Sequence, residues 1–256
     1  VVRDLFESLA GADRSYGLSL EQPSPKFRVY AIPVDEKTRT VSLPQAGYAP
    51  WRLFVTRQNG FAGSIRITLE ESEMTSGIVL NECWIGPSES SAFAMLTTTT
   101  DAKSGPRFLK LKAEGQVGER TVHSTVSMMT PLTNHSSAGR LVARPAILVT
   151  DKAAFGFTLT NATPSIAAGQ KLKLIVTRSH LAGSLEAPAK ITFPLLPAGI
   201  KSSDINIAPQ QEEKTIELVT PKKLPAGRYS FAATVSGTVV SKAEDKKPMK
   251  QTIQVW

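Results

Sequence analysis

Nucleophilic catalysis needs a nucleophile, a base within hydrogen-bond reach and a group that orients the base. The sequence offers one thiol, Cys83 in Asn81-Glu82-Cys83-Trp84-Ile85, and three histidines, His123, His135 and His180. Cys83 and Ile85 match Ile205 and Ile207 in a second copy of the same pattern, so the thiol is expected in a core, where a lone cysteine behaves as a small, inert hydrophobe. His123 is out of phase with Val122 and Val126 and reads as a surface strand residue, while His135 falls in an expected linker and His180 in an expected turn. None has metal-ligand spacing, and a single cysteine excludes both an internal disulfide framework and a Cys-based zinc site. No Gly-x-Ser-x-Gly, phosphate-binding loop or His-Glu-x-x-His occurs. Glu70, Glu71 and Glu73 cluster, and paired carboxylates can hydrolyse glycosides, but these fall in a polar turn rather than across a cleft. Asp101 brings one carboxylate where calcium needs several converging oxygens. The reading is that the chain is not an enzyme and carries no catalytic residue, metal or cofactor.

Binding chemistry is better represented. Trp84 lies between two inward positions and so faces outward by the period-2 rule. An exposed indole can stack on a sugar or pack on a neighbouring domain, and the specific expectation is packing against Val1–Lys26. A glycan platform would need a second coplanar ring, for which Tyr48 is the candidate. The chain carries 30 Lys+Arg against 22 Asp+Glu, a net charge of +8. The excess is greatest after residue 150, with Lys246 and Lys247 in the expected last hairpin. A basic edge attracts acidic polymers, but lysine on an edge strand also blocks sheet-to-sheet aggregation, which is the preferred reading. Without aromatic residues among these lysines, nucleic acid is not an expected partner.

The elements that must position these residues are strands. Two-residue alternation recurs between Gly, Pro, Asn and Ser breakers, as in Trp51-Leu53-Val55, Ile65-Ile67-Leu69, Leu109-Leu111-Ala113 and Leu172-Leu174-Val176. No apolar run is long enough for a membrane-spanning helix, and the sequence opens without a basic-then-apolar leader. The pattern also returns once. Leu53-Phe54-Val55-Thr56-Arg57 reappears as Leu174-Ile175-Val176-Thr177-Arg178, Gly77-Ile78 as Gly199-Ile200, Ile85-Gly86-Pro87 as Ile207-Ala208-Pro209, and Gly105-Pro106-Arg107-Phe108 as Gly227-Arg228-Tyr229. Two copies of about seven short strands each fit two β-sandwiches in series. The expected organisation is residues 1–26 as the tail of a preceding β-domain, 27–131 as a first Ig-like sandwich, 132–144 as a linker and 145–256 as a second sandwich.

Val2-Arg3-Asp4-Leu5, Gly11 and Tyr16-Gly17-Leu18-Ser19-Leu20, followed by Pro23 and Phe27, resemble the last strands of a bacterial pre-peptidase C-terminal domain. The stretch from Leu53 to Gly63, and more closely Val176 through Leu195-Leu196-Pro197-Ala198-Gly199-Ile200, is similar to the Ig-like repeats that follow such modules. The first copy departs from that pattern at Glu71–Gly77, which has no proline. The resemblance implies a piece of an exported, multidomain bacterial protein, found in the periplasm, on the cell surface or secreted. The expected fold is all-β: two tandem antiparallel Ig-like or fibronectin-III-like β-sandwiches with a leading β-fragment. The expected function is a non-catalytic spacer or adhesion-type module whose partners are the neighbouring domains. The alternative is a carbohydrate-binding module that uses Trp84 and Tyr48 on cell-surface polysaccharide.

Overall fold

The alternating apolar positions become the inner faces of strands. The computed structural model describes residues 23–255, apart from 35–39, 88, 133–134, 143, 153–154, 162–164, 182, 203–204 and 242–248. The leading fragment, Lys246 and Lys247 therefore fall wholly or largely outside the described residues. In chain order the strands begin with β1 (Lys26–Pro33), β2 (Val41–Pro44), β3 (Tyr48–Gln58) and β4 (Ile65–Leu69). After a 3-10 turn at Glu73–Thr75 come β5 (Ile78–Leu80), β6 (Cys83–Ile85), β7 (Ser91–Thr98), β8 (Gly105–Phe108), β9 (Leu111–Val117) and β10 (Arg120–Thr125). Then follow β11 (Ser127–Leu132), β12 (His135–Val142) and β13 (Ala146–Thr150). The remaining strands are β14 (Phe155–Asn161), β15 (Lys171–Leu181), β16 (Ser184–Leu185), β17 (Ala189–Leu195), β18 (Ile205–Ile207), β19 (Glu213–Val219), β20 (Ala232–Ser241) and β21 (Met249–Val255). The all-β expectation holds.

The first sandwich stacks a six-stranded sheet, β12-β11-β1-β3-β7-β5, on a four-stranded sheet, β10-β9-β4-β6, with the three strands β2-β13-β8 beside them. Its core gathers Trp51, Leu53, Ile65, Ile85, Leu96 and Leu111, all fully buried. The second sandwich faces β14-β15-β19 against β16-β20-β17-β18, with β21 added to β20. Leu174, Val176, Ile191, Ile207 and Leu218 fill its separate core. The alternation read through 108–113 is kept, with Leu109, Leu111 and Ala113 buried and Phe108 exposed, but the strand breaks at Leu109-Lys110. There the chain leaves the β8–β13 ladder and enters the β9–β4 ladder, a change of sheet that side-chain alternation does not record.

The organisation differs from the expectation after residue 131. Residues 132–144 were read as a linker and 145 as the start of the second sandwich. Instead β11 and β12 form an antiparallel ladder, from Met128 opposite Val142 to Leu132 opposite His135. His135 thus sits in a strand, as does His180, which is paired with Gly156 instead of lying in a turn. Strand β13 runs parallel to β2 and antiparallel to β8, and buries Ile147 and Val149 in the first core. Small polar residues such as Ser136, Ser137 and Gly139 suggest a loop by composition, yet a ladder partner satisfies their backbone as well as any other.

Two buried threonines at corresponding places each accept a glycine N–H and donate to a nearby carbonyl, though the carbonyl differs. Thr98 Oγ1 donates to Pro44 O and accepts the Gly47 N–H at 3.4 Å. Thr220 Oγ1 donates to Gln170 O at 2.8 Å and accepts the Gly169 N–H at 3.1 Å. Each hydroxyl closes the turn that feeds the long central strand, β3 or β15. Gly77 and Gly199 also correspond, with φ of 73° and 84°, a conformation open to glycine but strained for most residues.

The placement of β13 is testable. Ile147→Ala should destabilise the first sandwich by about 2–5 kcal/mol, the usual cost of truncating a buried isoleucine. Hydrogen exchange resolved by residue should show the loss on β3, β4 and β9 with β15 and β19 unchanged. Loss confined to β15 and β19 would assign β13 to the second sandwich.

Candidate functional site

Strand β6 is only three residues long and ends the four-stranded sheet. It pairs with β4 through Ile65–Ile85, Arg66–Trp84 and Ile67–Cys83. In an antiparallel ladder alternate residues bond to opposite sides, so the Trp84 backbone points away from β4 and would leave a bare edge. Ser230, from the second sandwich, covers it. The Ser230 N–H donates to Trp84 O at 3.0 Å, its Oγ accepts the Trp84 N–H at 2.9 Å, and the same hydroxyl donates to Glu82 O at 3.2 Å. One serine, through its backbone N–H and its hydroxyl, thereby stands in for a neighbouring strand.

The side chains around this exchange also cross between the sandwiches. Glu82 Oε1 accepts from Trp84 Nε1 at 2.9 Å and from Arg228 Nη1 at 3.0 Å. The Arg228 guanidinium lies 5.0 Å from the centre of the indole and that of Arg66 lies 5.9 Å from it, both in cation–π range. The Trp84 indole N–H, with help from the charge of Arg228, holds the Glu82 carboxyl below the usual carboxylate range. Glu89 Oε1 accepts the Ala198 N–H at 2.9 Å.

Two glycines permit the approach. A Cβ on Gly86 would lie 2.1 Å from Tyr229 Cε1, and one on Gly227 would lie 2.6 Å from Pro87 Cδ. The Tyr229 ring cannot easily turn aside, because its hydroxyl donates to Pro225 O at 2.8 Å. The cavity left between Trp84, Ala92, Leu196 and Tyr229 measures about 10 Å³, room for one water at most. This is a packed contact and not a ligand pocket.

Arg57 holds the loop that carries it. Its Nη1 donates to Gly63 O at 2.7 Å, and its Nη2 donates to Gly86 O at 2.6 Å and Glu89 O at 3.4 Å. Burial lowers the guanidinium pKa, and the charge of Glu89 opposes that shift. Arg178, its counterpart in the second sandwich, donates from Nη1 to Pro209 O at 2.8 Å. The recurring Val-Thr-Arg is thus an arginine at the end of a central strand that captures carbonyls of the loop after Ile85 or Ile207.

The other expected residues are placed as follows. Trp84 does face outward and does pack on a neighbour. Its described partner is the second sandwich; the expected contact with Val1–Lys26 lies largely outside the described residues. Tyr48 is half-buried on β3, paired with Thr97 of β7 in the six-stranded sheet, whereas Trp84 lies in the four-stranded sheet, so the structure does not bring the two together. The Cys83 thiol is buried and pushed up to about 12, with its Sγ 3.4 Å from Phe93 O. His123 is exposed, with Nδ1 3.5 Å from Glu114 Oε1. Glu70 is bound between Lys110 and Lys112 at 3.0 and 2.9 Å. Among the described residues no group of three or more His, Cys, Asp or Glu could hold a metal ion, and no helix is long and apolar enough to cross a membrane. Sequence reasoning did not single out Glu82, Glu89, Arg228 or Ser230. The match of Gly227-Arg228-Tyr229 to Gly105–Phe108 was the available signal.

No family model and no curated protein matches the chain. Among solved structures, the class 5 fimbriae chaperone CfaA is 10% identical with a TM-score of 0.27, the alignment covering 90% of this chain and 99% of that one. The Escherichia coli adhesin FdeC is 12% identical with a TM-score of 0.28, and here the alignment covers 90% of this chain and 65% of that one. Similarities of this size assign no function.

The Glu82 contact gives a pH prediction. A carboxyl whose folded pKa is depressed contributes stability that is present above its unfolded pKa and is lost as pH falls through the folded pKa. The Trp84 indole N–H resonance should therefore hold steady from neutral pH downward and move only below the ordinary glutamate range. In Arg228→Met the midpoint should rise. A Trp84 resonance that is flat in acid would remove Glu82 as its partner.

Proposed function

We propose that the chain is a non-catalytic spacer and interaction module in which two copies of a duplicated Ig-like unit are locked edge to edge, so that domains before and after it are presented at a fixed angle. The observation that carries this reading is the pair of hydrogen bonds between the Trp84 backbone and Ser230, flanked by Glu82–Arg228 and Glu89–Ala198. Two sandwiches joined only by a flexible segment would need no such contact, and independent domain motion is the default for loosely joined domains. The paired threonines Thr98 and Thr220 and the paired arginines Arg57 and Arg178 support the duplication. The resemblance of the first twenty residues to the end of a pre-peptidase C-terminal domain supports placing the module in an exported bacterial protein.

The carbohydrate-binding alternative is less well supported. Arg228 lies over the indole that a sugar would stack on, and the second candidate ring, Tyr48, belongs to the other sheet. A sugar would have to displace a charge-assisted contact to reach one isolated ring.

Small-angle scattering of the wild-type protein and of the double variant Gly86→Ala, Gly227→Ala tests the rigid-spacer reading. Neither glycine has a positive φ, so the added methyl groups act through the Tyr229 and Pro87 contacts and not through backbone strain. The wild-type profile should fit one fixed arrangement, while the variant should show a larger maximum dimension and a broader ensemble. A wild-type profile that already requires an ensemble of domain angles would sink the proposal.

A further inference from the structure

The two main sheets of the first sandwich end side by side, at β6 and β5, and among the described residues only β6 is covered. Strand β5 closes the six-stranded sheet by pairing with β7 through Ile78–Thr98, Val79–Thr97 and Leu80–Leu96. The Thr99 N–H donates to Gly77 O at 3.0 Å and the Asn81 N–H to Met95 O at 2.9 Å. Gly77, Val79 and Asn81 therefore turn their backbone groups toward β7. By alternation Ile78 and Leu80 turn theirs away, and among the described residues no strand pairs with them.

These free groups open onto a groove of about 750 Å³. Leu69 and Leu80 contribute apolar walls, and among the described lining residues Glu71, Glu73 and Glu82 contribute carboxylates against the one cation of Arg66. Val79, at 51% exposed, adds an apolar contact on the outer face of the edge. The groove is thus locally acidic on a chain whose net charge is +8. A second copy of the same edge would bring like charges together, whereas a basic strand would find them complementary.

We infer that the free edge of β5 accepts an extended basic peptide as an added β-strand, with backbone bonds to Ile78 and Leu80 and with lysine or arginine side chains on Glu71 and Glu73. Main-chain bonding would supply the affinity and the acidic rim the selection, as in other cases of strand addition. Glu82 is already engaged by Trp84 and Arg228, so the recognition falls to the other two carboxylates.

The probe is a fluorescein-labelled peptide of alternating lysine and valine, with an alternating glutamate and valine peptide as control. Anisotropy should show saturable binding of the basic peptide alone, weakened at least about ten-fold in Glu71→Lys, Glu73→Lys, where two complementary charges are reversed. Leu80→Pro removes an N–H that faces the groove while sparing the bonds to β7, a placement proline tolerates on an edge strand, and should abolish binding. Hydrogen exchange on the unmodified protein provides a readout that no variant's folding can compromise: the Ile78 and Leu80 amides should become protected when the peptide is added. Absence of binding, equal binding of the acidic peptide, or binding that leaves both amides unprotected would overturn the assignment.

Discussion

A half-buried guanidinium organises the first sandwich. Arg57 cannot shed its proton, so its removal from water must be offset by acceptors, and here three backbone carbonyls provide them. Hydrogen bonds to a charged group are worth about 1.5–3 kcal/mol each, and losing them would leave a buried cation unpaired. The guanidinium also lies 5.4 Å from the Phe61 ring centre, and Phe61 packs on Phe27 at 4.7 Å between centroids. The residues it fixes on one side, Gly86 and Glu89, are those that meet Tyr229 and Ala198 of the second sandwich. Core, loop and inter-sandwich contact are therefore coupled through one side chain.

That coupling explains why a three-residue strand can serve as a joint. Strand β6 is too short to hold a second domain by ladder bonds alone. Its edge gains one reciprocal exchange with Ser230, and the rest of the contact combines the Glu82–Arg228 and Glu89–Ala198 bonds with close packing where Gly86 and Gly227 let two loops touch. The correspondence of Gly105–Phe108 with Gly227–Tyr229 adds a structural regularity. In the first sandwich the segment pairs with β13, and in the second its counterpart leads into the contact with β6.

Much of the fold was legible because burial has a period. The inward set Trp51, Leu53, Ile65, Ile67, Leu172, Leu174 and Val176 is buried as alternation demands, and Cys83 and Ile85 are buried while Trp84 turns outward. The segment after residue 131 was misread because its small polar residues carry no such period. A backbone ladder between β11 and β12 needs no particular side chains, so composition could not reveal it. The change of sheet at Leu109-Lys110 was invisible for a related reason. An inward side chain reports that it meets a core, but not which strand lies beside it.

The sequence by itself determined the strand content, the two cores, the burial of the lone thiol and the outward direction of Trp84, since each follows from local polarity and the two-residue repeat of a strand. It also marked Val-Thr-Arg as recurring without saying what the arginine does. Only the tertiary structure decided that Arg57 captures carbonyls nearly thirty residues away, that β13 completes the first sandwich, and that Trp84 meets Ser230 across a separation of 146 residues. The physical reason is that hydrogen bonds between edges and loops depend on where backbone groups point in space. Side-chain polarity along the chain carries almost no record of that direction.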